Sequence, residues 1–115
     1  MTYSPERFKA LVEEFAKREA AILEYKAGEY ADNMDRLQNF HEQAVIQGMP
    51  PAEIALTYFL KHVLSIAKAV RNSGSQQWVW TTENGTEGLK QRFADARNYL
   101  LLMAACIDEE ESKCQ

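Results

Sequence analysis

Between Pro51 and Asn72 the chain carries Ile54, Ala55, Tyr58, Phe59, Val63, Ile66, Ala67 and Val70. Wound at 3.6 residues per turn, these side chains cover most of a helix circumference. A helix apolar on nearly all sides predicts a central element that other helices must cover. Met49-Pro50-Pro51 is a firm break ahead of it, with Pro51 at the position where proline starts a helix well. The few polar residues within this segment, Lys61, His62, Ser65 and Lys68, are therefore more informative than charges elsewhere.

Three further segments repeat the helical period. Ser4-Pro5-Glu6 is an N-cap followed by proline, and Phe8, Leu11, Val12, Phe15, Ile22 and Leu23 predict a helix from Pro5 to about Ala27, stopped by Gly28. The polar connection Gly28–Asp35 offers Asp32 and Asn33 as caps for a shorter helix, about Met34 to Gln47. Its stripe is Leu37, Phe40, Ala44 and Val45, and Gly48 ends it. Residues Asn72 to Thr86, rich in Gly, Ser, Thr and Asn, predict a long loop enclosing Trp78-Val79-Trp80. Thr86 then caps a last helix, Glu87 to about Asp108, with Leu89, Phe93, Ala96, Leu100, Met103 and Ile107 as its stripe. No segment alternates as a strand would. The expected fold is all-α: an antiparallel four-helix bundle-like domain over residues 1–108, followed by a flexible acidic tail, residues 109–115. The apolar surface is generous for so small a bundle, which predicts a homo-oligomer.

Charge and composition exclude several classes. The chain has 115 residues, with 13 Lys+Arg against 17 Asp+Glu, a net charge of −4 and no basic run. A surface that neutralises many phosphates of duplex nucleic acid is not expected from such a chain. A small phosphorylated ligand needs only a few cations and stays allowed; after Thr57 the central helix has cations and no acids. No apolar run approaches the ~18–20 residues of a membrane span. Met1-Thr2-Tyr3-Ser4-Pro5-Glu6 lacks the charged-then-apolar pattern of a signal peptide, and Cys106 and Cys114 are too close together to staple a fold. The expectation is a cytoplasmic protein, in the host cytoplasm if phage-encoded. Neither histidine has a second His or a Cys at zinc-ligand spacing, and there is no P-loop or nucleophile elbow.

Four constellations can carry chemistry. Lys61, Ser65 and Lys68 share one helix face, with His62 one position round, forming a donor-rich strip for phosphate or carboxylate oxygens. The same strip is also what a solvent face with snorkelling lysines looks like. On the last helix, Arg92, Asp95, Asn98 and Tyr99 form a flank in which Asp95 can bind a ligand hydroxyl or metal, or pair with Lys61 or Arg97. Glu29, Asp32 and Asp35 can supply oxygen ligands to Mg²⁺, or cap the second helix. Trp78 and Trp80 point to one side if extended, either to stack on a base or to pin the loop.

Three strings carry a resemblance. They are Glu29-Tyr30-Ala31-Asp32-Asn33-Met34-Asp35-Arg36-Leu37-Gln38-Asn39-Phe40, Tyr58-Phe59-Leu60-Lys61-His62-Val63-Leu64-Ser65-Ile66 and Arg92-Phe93-Ala94-Asp95-Ala96-Arg97-Asn98-Tyr99-Leu100-Leu101-Leu102. In this order, over Tyr25 to Ile107, the chain resembles the bacteriophage nucleotide-modification-associated domain family. That family is similar to the all-α MazG-like nucleoside triphosphate pyrophosphohydrolases, which hold Mg²⁺ with E-x-x-E on one helix and E-x-x-D on the next. This sequence departs from the pattern. Lys61, His62 and Ser65 stand where carboxylates are expected, and Asp95 matches the last carboxylate while its partner is replaced by Arg92. A cation cage thereby becomes an anion-binding pocket.

The resemblance thus implies a non-catalytic protein that binds, and sequesters, a nucleotide-derived small molecule to counter host signalling, with no cofactor. Lys61 and Arg92 would meet phosphate, with His62 and Ser65 alongside. Asp95 and Asn98 would take ribose hydroxyls or a base edge, and Tyr99 or Trp80 would stack on the base; Asp32 and Asn39, in the first matching string, complete the expected ligand-binding set. Two alternatives remain at this point. One is a metal-dependent pyrophosphohydrolase using Mg²⁺, with Asp95 joined by Glu29, Asp32 or Asp35 and His62 as general base. The other is a helical bundle that only binds a protein partner.

Overall fold

The computed structural model describes residues 2–29 (for 23–29 the backbone alone), 35–71, 80–81 and 88–113. Among the described residues the chain is all-α, with four helices packed on one another and no strand: α1 (Pro5–Glu29), α2 (Gln38–Gln47), α3 (Pro51–Arg71) and α4 (Leu89–Lys113).

The start and stop signals explain most of the boundaries. Ser4 Oγ accepts the Arg7 N–H at 3.1 Å, the expected cap of α1. Helix α1 then runs through Gly28 to Glu29, within the residue or two by which helix ends fray. Helix α2 starts four residues later than the sequence predicts. Asp35 Oδ1 accepts the Leu37 N–H at 2.9 Å and the Asp35 carbonyl accepts that of Gln38 at 3.2 Å, so a turn occupies Asp35–Leu37 first. Asp32, Asn33 and Thr86, expected as caps, lie outside the described residues. Gly48 closes α2 in the left-handed conformation (φ 67°), donating its N–H to the Ala44 carbonyl at 2.9 Å.

The largest difference is at the far end. Residues 109–113, expected as part of a flexible tail, continue α4 to Lys113. His41 Nε2 lies 2.7 Å from Glu109 Oε1, and Ser112 Oγ donates to the Asp108 carbonyl at 3.0 Å, so the last turns have local and tertiary partners.

Helices α3 and α4 are the backbone of the fold and run antiparallel: Ile54 and Ala55 share a core with Cys106, while Tyr58 and His62 reach Tyr99. Helix α2 folds back on the start of α3, where Phe40 meets Tyr58 edge-on at 6.2 Å and Gln43 Oε1 accepts the Tyr58 hydroxyl at 2.9 Å. The apolar core, Leu37, Phe40, Ile54, Ala55 and Cys106, sits at this end. Helix α1 packs instead on the first half of α4. Its contacts advance together along both helices (Glu14 with Lys90, then Glu19 with Arg97), so α1 and α4 run in the same sense.

Helix α3 is not the enclosed central rod that its composition predicts. Leu56, Leu60, Val63, Leu64 and Val70 are all exposed, because α4 covers one face, α2 covers only the first turns, and α1 lies on α4. The molecule is accordingly extended, 51 × 28 × 28 Å with a radius of gyration of 16.7 Å. A compact domain of this length has a radius of about 13 Å. No helix among the described residues is long and apolar enough to cross a membrane.

Candidate functional site

The α3–α4 crossing gathers several of the residues singled out by the sequence. Tyr99 stacks on His62 at 4.9 Å between ring centroids (23° between planes) and on Tyr58 at 5.5 Å (18°). Lys61, exposed on α3, holds its Nζ 6.0 Å from the Tyr58 ring centre. Ser65, one turn further on, is half-buried. Tyr99 is therefore committed to two aromatic neighbours, and a base stacking on it would take the place of one of them.

On α4, Asp95 and Asn98 are three apart and share a face with Gln91. Asp95 is half-buried and accepts the Gln91 amide N–H at 3.3 Å. It forms no ion pair with Lys61 or Arg97; Arg97 Nε instead stands 2.5 Å from Glu19 Oε1. That pair is close in distance but too poorly aligned for a hydrogen bond, since the buried Glu19 oxygen has none. Asn98 is the one buried polar residue among those described, 4% exposed. Neither its Oδ1 nor its Nδ2 has a hydrogen-bond partner. A buried amide left in this state costs about 1–3 kcal/mol per unsatisfied group, so its presence calls for an explanation.

The remaining expected residues are spread more widely. Arg92 is exposed on α4, and Asn39 is exposed on α2. Trp80 sits beside the start of α4, its indole edge-on to Phe93 at 5.9 Å and Lys90 Nζ 5.4 Å over its ring centre. The Trp80 carbonyl accepts the Lys90 N–H at 3.0 Å, and a Cβ added at Gly88 would clash with that carbonyl. In this geometry Trp80 is an anchor that pins its segment to α4. Asp32 and Trp78 lie outside the described residues, as does the Glu29 side chain.

Sequence reasoning missed a second cluster. Asp35, His41 and Glu109 present potential metal-ligand atoms within 4.8 Å of one another, all half-buried. His41 Nδ1 lies 2.8 Å from Asp35 Oδ2 and its Nε2 lies 2.7 Å from Glu109 Oε1. The hydrogen bond to Glu109, aided by the charges of both carboxylates against a smaller desolvation effect, raises the imidazole's proton affinity above the ordinary histidine value. A protonated ring satisfies both carboxylates, so the cluster is complete as an ion-pair clasp. Burial, with the same two carboxylates, pushes the neighbouring Cys106 thiol up, leaving it an unreactive core residue. The only local signal was His41 itself, because its partner Glu109 is 68 residues away in a segment that looks like a solvated tail.

This cluster also bears on the hydrolase alternative. Glu109, which holds the cluster of Asp35, is 14 residues beyond Asp95 on one continuous helix, which is about 21 Å along the axis. Asp35 and Asp95 therefore do not meet around one ion. Comparison of the chain with protein-family models, with characterised proteins and with solved structures finds no match.

Proposed function

We propose that this chain binds a nucleotide-derived small molecule at the α3–α4 crossing without cleaving it, as a phage protein that sequesters a host nucleotide signal would. The observation that carries the proposal is Asn98, a buried amide with an unused donor and an unused acceptor. That pair of groups complements an adenine edge, which offers the N7 acceptor beside the N6 amino donor. Asp95 lies on the same helix face for ribose hydroxyls; Lys61, beside the Tyr58 ring, and Ser65, half-buried one turn on, would supply the cation and hydroxyl for phosphate. The His62–Tyr99–Tyr58 stack supplies aromatic faces. Burial of Asn98 means that the ligand enters by displacing a neighbouring side chain. The resemblance to the phage nucleotide-modification-associated domains, and through them to MazG-like bundles, agrees with this choice of ligand class.

The test is calorimetric titration with nucleoside triphosphates, deoxynucleotides and cyclic dinucleotides in the presence of chelator, followed by chromatography of the ligand. The expected outcome is heat from at least one member with the ligand recovered intact. Lys61→Ala or Asp95→Ala should weaken that binding by about 1.5–3 kcal/mol, and Asn98→Leu should abolish it in a protein that stays folded. Pyrophosphate release with Mg²⁺, or no heat with any member, overturns the proposal.

A further inference from the structure

The face of α3 turned away from α4 is apolar along most of its length. Leu56, Leu60, Val63 and Val70 are exposed there, Ala67 falls in line between them, and Leu64 widens the stripe. The steps from Leu56 to Leu60, Val63, Ala67 and Val70 alternate four and three residues, the spacing that keeps an apolar seam on one side of a helix in coiled coils. The residues that face α4 and α2, namely Ile54, Ala55, Tyr58 and His62, lie on the opposite side of α3. The seam is therefore separate from the intramolecular core, and over its 14-residue step from Leu56 to Val70 it is about 21 Å long.

Charge favours a second copy of this chain as the occupant. Glu53 lies beside the seam at its N-terminal end, and Arg71, 18 residues further on, lies on the same side of the helix at its C-terminal end. Two parallel copies would set Glu53 against Glu53 and Arg71 against Arg71. Two antiparallel copies set Glu53 against the partner's Arg71, at both ends by symmetry.

We infer that the chain forms a two-fold symmetric dimer in which the α3 seams of two copies pack antiparallel. The seam lies on the side of α3 away from Asp95 and Asn98, so this inference stands apart from the ligand proposal.

Sedimentation velocity of the full chain over a dilution series, with light scattering for mass, tests it. The expected result is a concentration-dependent dimer. Leu60 is 52% exposed in one copy, so Leu60→Glu should leave helicity and melting of the monomer unchanged while weakening the dimer by about 30-fold or more. Leu64→Lys should act alike. Glu53→Lys should weaken the dimer, and combining it with Arg71→Glu should restore it, because the reversed charges again face each other only in the antiparallel arrangement. A monomer at every concentration, a dimer untouched by Leu60→Glu, or a Leu60→Glu protein that loses helicity (the seam then being covered by the chain itself) overturns the inference. Failure of the double variant to recover overturns the antiparallel orientation. Repeating the nucleotide titration on Leu60→Glu separates the two proposals, since loss of the dimer leaves the α4 site in place.

Discussion

The two ends of the α3–α4 pair are held by different physics. At the α2 end, Leu37, Phe40, Ile54, Ala55 and Cys106 form an apolar core, and the one titratable cluster beside it uses both nitrogens of His41. At the α1 end, charged and polar pairs join the helices beside buried Phe15, Leu89, Ala94 and Ala96: Lys90 Nζ reaches both Glu14 oxygens at 2.7 and 2.8 Å, and Arg18 donates to Gln91 at 2.9 Å. Lys90 correspondingly holds the Glu14 carboxyl below its usual range, against a desolvation effect that opposes it. Among the described side chains of α1, Phe15 is the one buried apolar residue, capped by the Arg97 guanidinium at 5.4 Å, while Phe8 and Val12 stay exposed. Between these ends lies Asn98, unsatisfied on both amide atoms. The contrast teaches where stability and function divide. The α2 end has spent its polar groups on one another, whereas the crossing keeps donors and acceptors unspent, as a binding site must.

Three substitutions bear on that division, beginning with the largest expected effect. Ile54, 2% exposed, anchors the α2 end. Ile54→Ala should cost about 2–5 kcal/mol in urea unfolding, and a cost under about 1 kcal/mol would show that this end is not the stabilising one. Asn98→Leu should move stability the other way, raising it by about 1–2 kcal/mol, because two buried unsatisfied groups are replaced by a side chain of similar volume. Lower stability would mean that the amide already has a structural role, and the contrast would collapse. The smallest effect is expected from His41. Its folded pKa is raised, so the clasp's contribution is fully present below the unfolded value, near 6.5, and is lost as pH rises through the folded value. Melting temperature should therefore fall on going from about pH 6 to pH 9, by the equivalent of about 1 kcal/mol. His41→Asn should flatten that dependence, and an equal slope in both proteins would assign it elsewhere.

Much of the fold is legible in the sequence, for local reasons. Ser4-Pro5, Gly48 and Pro51 act within a few residues of themselves, and each marks an element where expected. What the sequence could not show depends on which faces meet. The apolar circumference of α3 reads the same whether covered by the chain's own helices or left for another molecule, and only the placement of α1 on α4 tells them apart. The end of α4 reads as a tail because Glu109, Glu110 and Glu111 look like a solvated charge run, while the partner that orders Glu109 is a histidine on α2. The site residues were legible in part. Spacing put Asp95 and Asn98 on one face and Lys61 and Ser65 on another, but burial of Asn98 and the pairing of Tyr99 with His62 are tertiary facts. Trp80 proved ambiguous for the same reason, since its packing on Phe93 depends on a contact that no local pattern encodes.

The crossing of Trp80–Thr81 over Gly88 has a consequence for engineering. A Cβ at Gly88 would also come 2.7 Å from Thr81 Cα, so Thr81 and Gly88 are held against each other with no side chain between them. Any side chain at position 88 would push the Trp80–Thr81 backbone off the start of α4, so a handle for a label or tag belongs at another position.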